Sequence, residues 1–295
     1  MILVVGATGL VGNEICSKLA RRGERVRALV RATSSPERIE TLRSCGVEIC
    51  VGDLKDSDTI NTLCKGMEAV ISTASSTISR QAGDSIESVD AAGQMNLVNA
   101  AKAANVERFI FLSFRQISGM SFPLGDAKRE VEKAVMSMNF TIVQASWFME
   151  VWLSPALGFD YTNRTARIHG PGTSPVSWVS FRDVAEMCTL SLRSKKAEHR
   201  TIEFGGPEAI SLLEVVARFE RIGGRSFTLD HVTEPKLRVQ FEQATDSMQK
   251  SFAALMLGCV YGDAMDMASI VDQFGIELTS VDEYARSVMG NVAKA

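Results

Sequence analysis

The sequence has few of the features that mark secreted, membrane or nucleic-acid-binding proteins. Its six cysteines are scattered, with no CxxC pair and no regular framework, so they are expected to be reduced thiols that fill the core. The longest apolar run, residues 252–262, has about half the length of a membrane span. The formal net charge is −3, and no run of lysine and arginine is long enough to follow a phosphate backbone. We therefore expect no membrane partner and no direct nucleic-acid partner.

Metal ligands and targeting signals are also missing. The three histidines, His169, His199 and His231, are far apart and show no metal-ligand spacing, so no metal site is expected. The first apolar strand begins at residue 2, which leaves no room for a signal or transit peptide. The apolar fraction of 45% and the charged fraction of 23% are ordinary for a globular chain. These observations predict a soluble cytoplasmic protein of one or two domains.

The N-terminus carries a glycine pattern. Four apolar residues, 2–5, read as a buried strand, and a helix is expected from about Leu10. Between them lies G-x-x-G-x-x-G, a variant of the dinucleotide-binding turn, in which backbone N–H groups and the helix N-terminus meet a diphosphate. The alternative is a turn whose glycines serve packing alone. The predicted cofactor contacts in this turn are Gly6, Ala7, Thr8, Gly9, Leu10, Val11 and Gly12.

Arg31 stands at the end of the second predicted strand, residues 24–30. In a dinucleotide fold this position faces the adenosine ribose, where an acidic residue selects NAD and an arginine pairs with the 2′-phosphate of NADP. No acidic residue occupies the strand end, which favours NADP. The alternative is that Arg31 is a solvated surface charge.

Further candidates follow the later strands. Asp53, with Leu54 beside it, comes after the third strand and could accept from the adenine amino group; a cap on the next helix is equally compatible. Small residues at the end of the fourth strand, Thr73 and Ala74, then Ser75, suit the close passage of a cofactor. Ser113 ends the fifth strand and is a further candidate contact.

Strand and helix alternate from the N-terminus through residue 146, which predicts an α/β fold with a parallel sheet and right-handed crossovers. A long helix is expected over residues 88–104, a short strand over 177–180 and another helix over 235–256. The predicted domains are a nucleotide-binding domain, residues 1–149 with returning segments at about 177–205, and a smaller substrate-binding lobe, residues 150–176 and 206–295.

Several motifs, taken in order, resemble those of the NmrA-like and isoflavone-reductase-like atypical short-chain dehydrogenases/reductases. The resemblance extends from residue 2 to about residue 215, with a weaker helical match beyond. The matching pieces are Gly6-Ala7-Thr8-Gly9-Leu10-Val11-Gly12, Leu29-Val30-Arg31, Gly52-Asp53-Leu54, Asp126-Ala127-Lys128, Trp147-Phe148-Met149, Val179-Ser180-Phe181-Arg182-Asp183-Val184-Ala185 and Phe204-Gly205-Gly206-Pro207-Glu208.

The resemblance implies a doubly wound Rossmann domain that binds NADP(H), with a smaller, mostly helical C-terminal substrate lobe. It implies an NADPH-preferring oxidoreductase that passes hydride to a small quinone-like, conjugated carbonyl or phenolic substrate. The alternative is a non-catalytic NADP(H) sensor of the NmrA type. A homodimer or a regulatory protein partner is compatible with either function.

The proton-transfer residues of the commoner short-chain dehydrogenases are missing. Those enzymes use a tyrosine four residues before a lysine, but Leu124 stands four residues before Lys128. The resemblance instead implies that Lys128 alone contacts the nicotinamide ribose and assists proton transfer. The alternative is an exposed lysine pairing with Glu132 at i+4. Trp147 and Phe148 follow the sixth strand, where the resemblance implies a loop over the nicotinamide; core packing is the alternative.

Overall fold

The computed structural model describes residues 1–78 and 81–292, and these residues form two compact units. The first unit comprises Met1–Phe114, Ser121–Gln144 and Val184–Ile202. The second comprises Arg115–Met120, Ala145–Asp183 and Glu203–Ala295, of which the last three residues lie outside those described. Within the described ranges, no helix is both long and apolar enough to cross a membrane.

Strands and helices alternate along most of the chain. The strands are β1 (Ile2–Val5), β2 (Val26–Val30), β3 (Glu48–Val51), β4 (Ala69–Ser72), β5 (Arg108–Phe114), β6 (Phe140–Ala145), β7 (Phe159–Asp160), β8 (Thr165–His169), β9 (Arg200–Phe204) and β10 (Thr228–Val232). The helices are α1 (Leu10–Arg21), α2 (Pro36–Ser44), α3 (Ser57–Cys64), α4 (Gln94–Ala103), α5 (Pro123–Val135), α6 (Met149–Trp152), α7 (Phe181–Arg193), α8 (Leu212–Gly223), α9 (Glu234–Gln243), α10 (Ser247–Tyr261), α11 (Ala268–Phe274) and α12 (Val281–Val292). A π-helix, Ile86–Gly93, leads directly into α4.

The main sheet has seven strands in the order β3-β2-β1-β4-β5-β6-β9. The pairs β1–β2, β1–β4, β2–β3 and β4–β5 are parallel. The chain moves outward through β2 and β3 and then returns to the other side of β1. This reversal between β1 and β4 is the switch point at which α/β sheets bind ligands beyond the carboxyl ends of their strands. The predicted Rossmann-like α/β fold is confirmed.

The central strands β1 and β4 are buried at every residue, as expected where helices cover both faces of a sheet. Ile2, Leu3, Val4 and Val5 of β1 are at most 1% exposed. Phe109 and its neighbours on β5 are also buried. Leu3, Val5, Phe109 and Phe111 belong to a core cluster that includes residues of α3, α4 and α5. This core fixes the carboxyl ends of the strands, from which the candidate site is built.

The second unit contains a small sheet in the order β10-β8-β7, with β8 parallel to β10 and antiparallel to β7. Aromatic rings pack beside it: the centroid of Phe159 lies 4.9 Å from that of Phe219 and 5.5 Å from that of Phe227. The hydroxyl of Tyr284 donates to the Leu153 carbonyl at 3.1 Å. The unit thus has a hydrophobic core of its own.

Three predicted elements differ in the structure. The helix predicted over 88–104 begins as a π-helix, whose N-terminus is closed by a capping box between Ser85 and Ser88. The helix predicted over 235–256 is two helices, because Ala244 is extended and the Asp246 side chain accepts from the Gln249 N–H at 2.8 Å to start α10. Residues 177–180 form no named strand among those described; Val179 makes an isolated bridge to Phe148.

Candidate functional site

The glycine turn joins β1 to α1 and is tightly packed. Gly6 has φ of 83°, a conformation that side chains rarely adopt. A Cβ on Gly6 would lie 2.7 Å from both the Ala74 nitrogen and the Thr73 hydroxyl oxygen. A Cβ on Gly12 would lie 2.2 Å from the Gly6 carbonyl oxygen. Both positions therefore require glycine, and α1 lies close against the end of β1.

The N-terminus of α1 is suited to an anion. The N-cap of α1 is Gly9, so no side chain accepts a hydrogen bond from the first N–H groups of the helix. The first turn also contains no acidic residue. A Cβ on Gly9 would meet only the Gly6 carbonyl oxygen, at 3.2 Å, so the space beside this glycine is open. Leu10 is 38% exposed, whereas Ala7 and Val11 are buried. The first N–H groups of a helix and its dipole together favour a phosphate at such a position.

The end of β4 lies beside this turn. The Thr73 N–H and hydroxyl both donate to the Val5 carbonyl, at 2.9 and 3.2 Å. The carbonyl of Ala74 accepts from the Gln94 side chain at 2.8 Å. The Ser75 hydroxyl is 3.1 Å from that of Thr77. The three small residues predicted as cofactor contacts thus follow β4 at the switch point of the sheet.

Arg31 is not a solvated surface charge, so that alternative is wrong. Its Nη1 lies 2.5 Å from Oδ2 of Asp84, whose side chain is fully buried. The other oxygen of Asp84 accepts from Lys55 Nζ, also at 2.5 Å. Although burial raises the pKa of Asp84, the hydrogen bonds from Lys55 and the Gln81 N–H outweigh burial and hold that pKa below its ordinary value. One carboxylate therefore joins two cations near the end of β2.

Other polar side chains lie near the end of β2. The Ser34 hydroxyl accepts from the Arg31 N–H at 3.2 Å and lies 3.5 Å from the hydroxyl of Thr8. Arg38, on the first turn of α2, donates to the Thr8 carbonyl at 2.7 Å. Hydroxyl and guanidinium groups thus connect the glycine turn to the end of β2, the position at which dinucleotide folds hold a 2′-phosphate; for this chain that contact stays a prediction.

Asp53 does not cap α3, so that alternative is wrong; Asp56 is the N-cap. The two oxygens of Asp53 accept from the backbone N–H and the Nζ of Lys55, at 2.8 and 2.9 Å. Leu54 is buried and lies near Gly93, where a Cβ would be 3.1 Å from the leucine Cγ. Asp53 stays a predicted contact of the adenine. Leu54 is buried beside it, and its own contact with a cofactor also stays a prediction.

Lys128 is buried on α5, 5% exposed, so the alternative of an exposed lysine paired with Glu132 is wrong. Its Nζ lies 3.7 Å from Oδ1 of Asp90 and 4.9 Å from the centroid of the Phe111 ring. Burial lowers the pKa of the Lys128 ammonium below its ordinary value, although the carboxylate of Asp90 opposes this. A lysine in such surroundings can release a proton more readily than one in water.

The Ser113 hydroxyl is already engaged within the first unit. It accepts from Arg129 Nη2 at 2.8 Å, and the same nitrogen donates to the Phe114 carbonyl at 2.6 Å. Arg129 also contacts Glu132 at 2.7 Å. Ser113 therefore lies on a network that fixes the end of β5 to α5, and its contact with a cofactor stays a prediction.

Trp147 and Phe148 belong to the second unit. Trp147 lines a cavity of about 620 Å³ together with residues 115–120, Arg238 and residues 261–263. Arg115 and Asp263 form an ion pair at this cavity, and burial raises the pKa of Asp263 although the guanidinium opposes it. The Phe148 carbonyl accepts from the Trp152 N–H at 2.9 Å. Trp147 thus faces a cavity, and the roles of both aromatic residues toward a cofactor stay predictions.

Three site neighbours were missed by the sequence-based predictions: Lys55, Asp84 and Asp90. Lys55 and Asp84 come from the loops after β3 and β4, and no motif marks them. Asp90 lies in the π-helix, a distortion that is frequent at functional sites. Its sequence offers no signal for that distortion, since 88–104 reads as a regular amphipathic helix.

Comparison with known proteins gives concordant results. The model of the NmrA-like family matches residues 1–285. The photosystem II assembly factor Ycf39 of Synechocystis sp. is 26% identical over 99% of this chain and 92% of its own length. The (4-alkanoyl-5-oxo-2,5-dihydrofuran-3-yl)methyl phosphate reductase of Streptomyces griseus is 32% identical over 79% of this chain and 77% of its own length.

A solved structure agrees in fold. The NADPH-dependent quinone oxidoreductase QOR2 of Escherichia coli, complexed with NADPH, superposes with a TM-score of 0.79. The two are 20% identical over 98% of this chain and 100% of the other. At that identity the likeness shows the fold.

Proposed function

Because this chain belongs to the NmrA-like family, we propose that it binds NADP(H) and reduces a small quinone-like or conjugated carbonyl compound with NADPH. The observation that carries the proposal is the uncapped N-terminus of α1 behind a turn in which Gly6 and Gly12 cannot bear a side chain. Such a cradle accommodates a diphosphate. The similar proteins include a reductase and an NADPH-bound oxidoreductase, which supports the proposed reductase function.

The residues of the first unit fit the two halves of such a cofactor. The adenosine half would lie over β2 and β3, with Arg31 on the 2′-phosphate and Asp53 on the adenine amino group. The other half would lie over β4 and β5, beyond Thr73 and toward Lys128. Among the described residues, the buried Oδ1 of Asp90, next to that lysine, has no hydrogen-bond donor, so this carboxylate keeps one unsatisfied acceptor.

The bound cofactor would supply the hydride, and the protein would position it and deliver a proton. In the overall reaction the acceptor gains a hydride and a proton, and NADPH becomes NADP⁺. Lys128 Nζ is the proton donor that we assign, since its buried ammonium has a lowered pKa. The proton that it loses returns from solvent. A quinone acceptor makes the missing tyrosine less important, because its reduced oxygens are readily protonated.

Turnover tests this proposal. NADPH consumption is measured spectrophotometrically with a panel of quinones and enals, for wild type, Lys128→Met and Lys133→Met. Lys133 lies on the same helix and is exposed, so it controls for charge loss. We expect turnover to fall in Lys128→Met alone, while NADPH still binds. Equal activity in all three proteins would remove Lys128 from the reaction.

A second candidate function is an NADP(H) sensor that acts on a protein partner. Leu124 stands where the usual tyrosine would be, and the tyrosines Tyr161, Tyr261 and Tyr284 all lie in the second unit. One relative is named as an assembly factor. Tight NADPH binding with no turnover on any member of the panel would favour this function.

A further inference from the structure

Asp90 lies beside Lys128 in the first unit and is held in a fixed orientation. It is 0% exposed. Its Oδ2 accepts from both the N–H and the hydroxyl of Ser76, at 2.9 and 2.6 Å. The remaining oxygen, Oδ1, lies 3.7 Å from Lys128 Nζ. Since Ser76 fixes one oxygen, the other is held toward the lysine.

The gap between these two groups is too wide for a direct hydrogen bond, which spans about 2.7–3.2 Å. Across the parts of the chain that the structure describes, Oδ1 has no hydrogen-bond partner, although it is buried. Buried carboxylate oxygens are nearly always satisfied by a donor. The geometry therefore leaves an unsatisfied acceptor 3.7 Å from a buried ammonium group.

We propose that Asp90 is a positioning residue that, with Lys128, forms a two-point site for a sugar hydroxyl of the bound nucleotide. The hydroxyl donates to Asp90 Oδ1 and accepts from Lys128 Nζ. This inference rests on the proposed NADP(H) binding. It adds a residue that acts through the lysine and does not itself react.

The position in the fold identifies which hydroxyl is meant. Ser76 and Asp90 follow β4, and Lys128 packs over Phe111 of β5, so the site lies on the β4 side of the switch point. A dinucleotide spans that point, with its diphosphate at the N-terminus of α1. The half beyond the diphosphate, opposite the end with Arg31, carries the nicotinamide ribose. A hydroxyl of this ribose can both donate to the carboxylate oxygen and accept from the ammonium group, as the proposed site requires.

The carboxylate also affects the charge of the lysine. The charged groups facing Lys128 are Asp90 on the π-helix and Glu132 and Arg129 on α5. Glu132 is largely compensated, because it accepts from Arg129 at 2.7 Å and from Gln144 at 3.0 Å. Asp90 is thus the main charge that opposes the lowering of the pKa of Lys128 by burial. Without it, the lysine should lose its proton at lower pH.

Calorimetry with two ligands tests the site. NADP⁺ and 2′,5′-ADP, which lacks the nicotinamide ribose, are titrated into wild type, Asp90→Asn and Glu130→Gln, the last an exposed change on α5. We expect Asp90→Asn to weaken NADP⁺ about tenfold, the loss of one charge-assisted hydrogen bond, and to leave 2′,5′-ADP within about twofold. Glu130→Gln should change neither affinity.

Other outcomes overturn the inference in distinguishable ways. If wild type binds neither ligand, the proposed function fails together with the inference. If wild type binds both and Asp90→Asn weakens both equally, the effect is general and Asp90 has no specific role. Unchanged affinity for both ligands in Asp90→Asn contradicts the two-point site while leaving NADP(H) binding intact.

A titration of the cofactor-free protein supplies a second readout. The ¹³Cε signal of Lys128 in ¹³C-lysine-labelled protein is assigned by its disappearance in Lys128→Met and is followed against pH. In Asp90→Asn the midpoint should move down by about one pH unit or more. An unchanged midpoint would show that Asp90 does not hold the lysine in its charged form.

Discussion

Arg31→Gln removes the cation proposed for the 2′-phosphate and keeps a polar side chain. A hydrogen bond to a charged group contributes about 1.5–3 kcal/mol. Arg31 contacts Asp84, with 2.5 Å between Nη1 and Oδ2, so a 2′-phosphate must share the guanidinium with that carboxylate. We therefore expect the lower part of this range, about 1.5–2 kcal/mol, or a loss of about 10- to 30-fold in NADPH affinity.

NADH affinity should stay within about twofold, because NADH has no 2′-phosphate to lose. Isothermal titration of both nucleotides measures the two affinities, and Arg43→Gln is the control, an exposed arginine on α2 that lies 3.5 Å from Glu40. The reasoning is refuted if Arg31→Gln weakens NADPH and NADH equally, or weakens neither. A small drop in thermal stability is also expected, since Asp84 keeps Lys55 as its partner but loses one cation.

Three further predictions address the turn, the core and acid stability. Gly9→Val should abolish binding of NADPH and NADH alike, and the fold should change little because a Cβ at this position meets only one atom, at 3.2 Å. Calorimetry measures the affinities and circular dichroism the folding, and undiminished nucleotide affinity would contradict the prediction. Phe109→Ala should cost about 3–5 kcal/mol in urea unfolding, since the ring is fully buried; a loss below about 1 kcal/mol would show that the site repacks. The pKa of Asp84 is lowered in the fold, so its contribution to stability is complete above the unfolded value of about 3.9 and is lost as pH falls through the folded value. Asp84→Asn should therefore flatten the acid limb of stability against pH, and an unchanged limb would contradict the assignment.

The glycine turn could be read from the sequence because its determinants are local. Gly6, Gly9 and Gly12 lie within seven residues of one another, and strand, turn and helix follow in immediate succession. The strand and helix alternation through residue 146 is also a local pattern, which explains why the sheet and its parallel strands were predictable. Arg31 could be proposed because it stands at the end of the second strand, and Lys128 because the family resemblance marks it; the cofactor contacts of both stay predictions.

The partners of those residues depend on contacts across long sequence separations. Asp84 is 53 residues from Arg31 along the chain. Asp90 lies in the π-helix and 3.7 Å from Lys128, and hydrophobic periodicity does not distinguish a π-helix from the regular helix that follows. The break after Gln243 was missed for a related reason, since the cap at Asp246 lies within a continuous helical pattern. Local patterns thus predict the framework, while the environment of each site residue depends on tertiary packing.

The most direct test of the central claim is an isothermal titration of NADPH and of NADH into the wild-type chain. The uncapped start of α1 and the arginine at the end of β2 predict one saturable site per chain, with NADPH bound more tightly than NADH. If neither nucleotide produces a binding isotherm, the glycine turn holds no diphosphate and the proposed function is wrong.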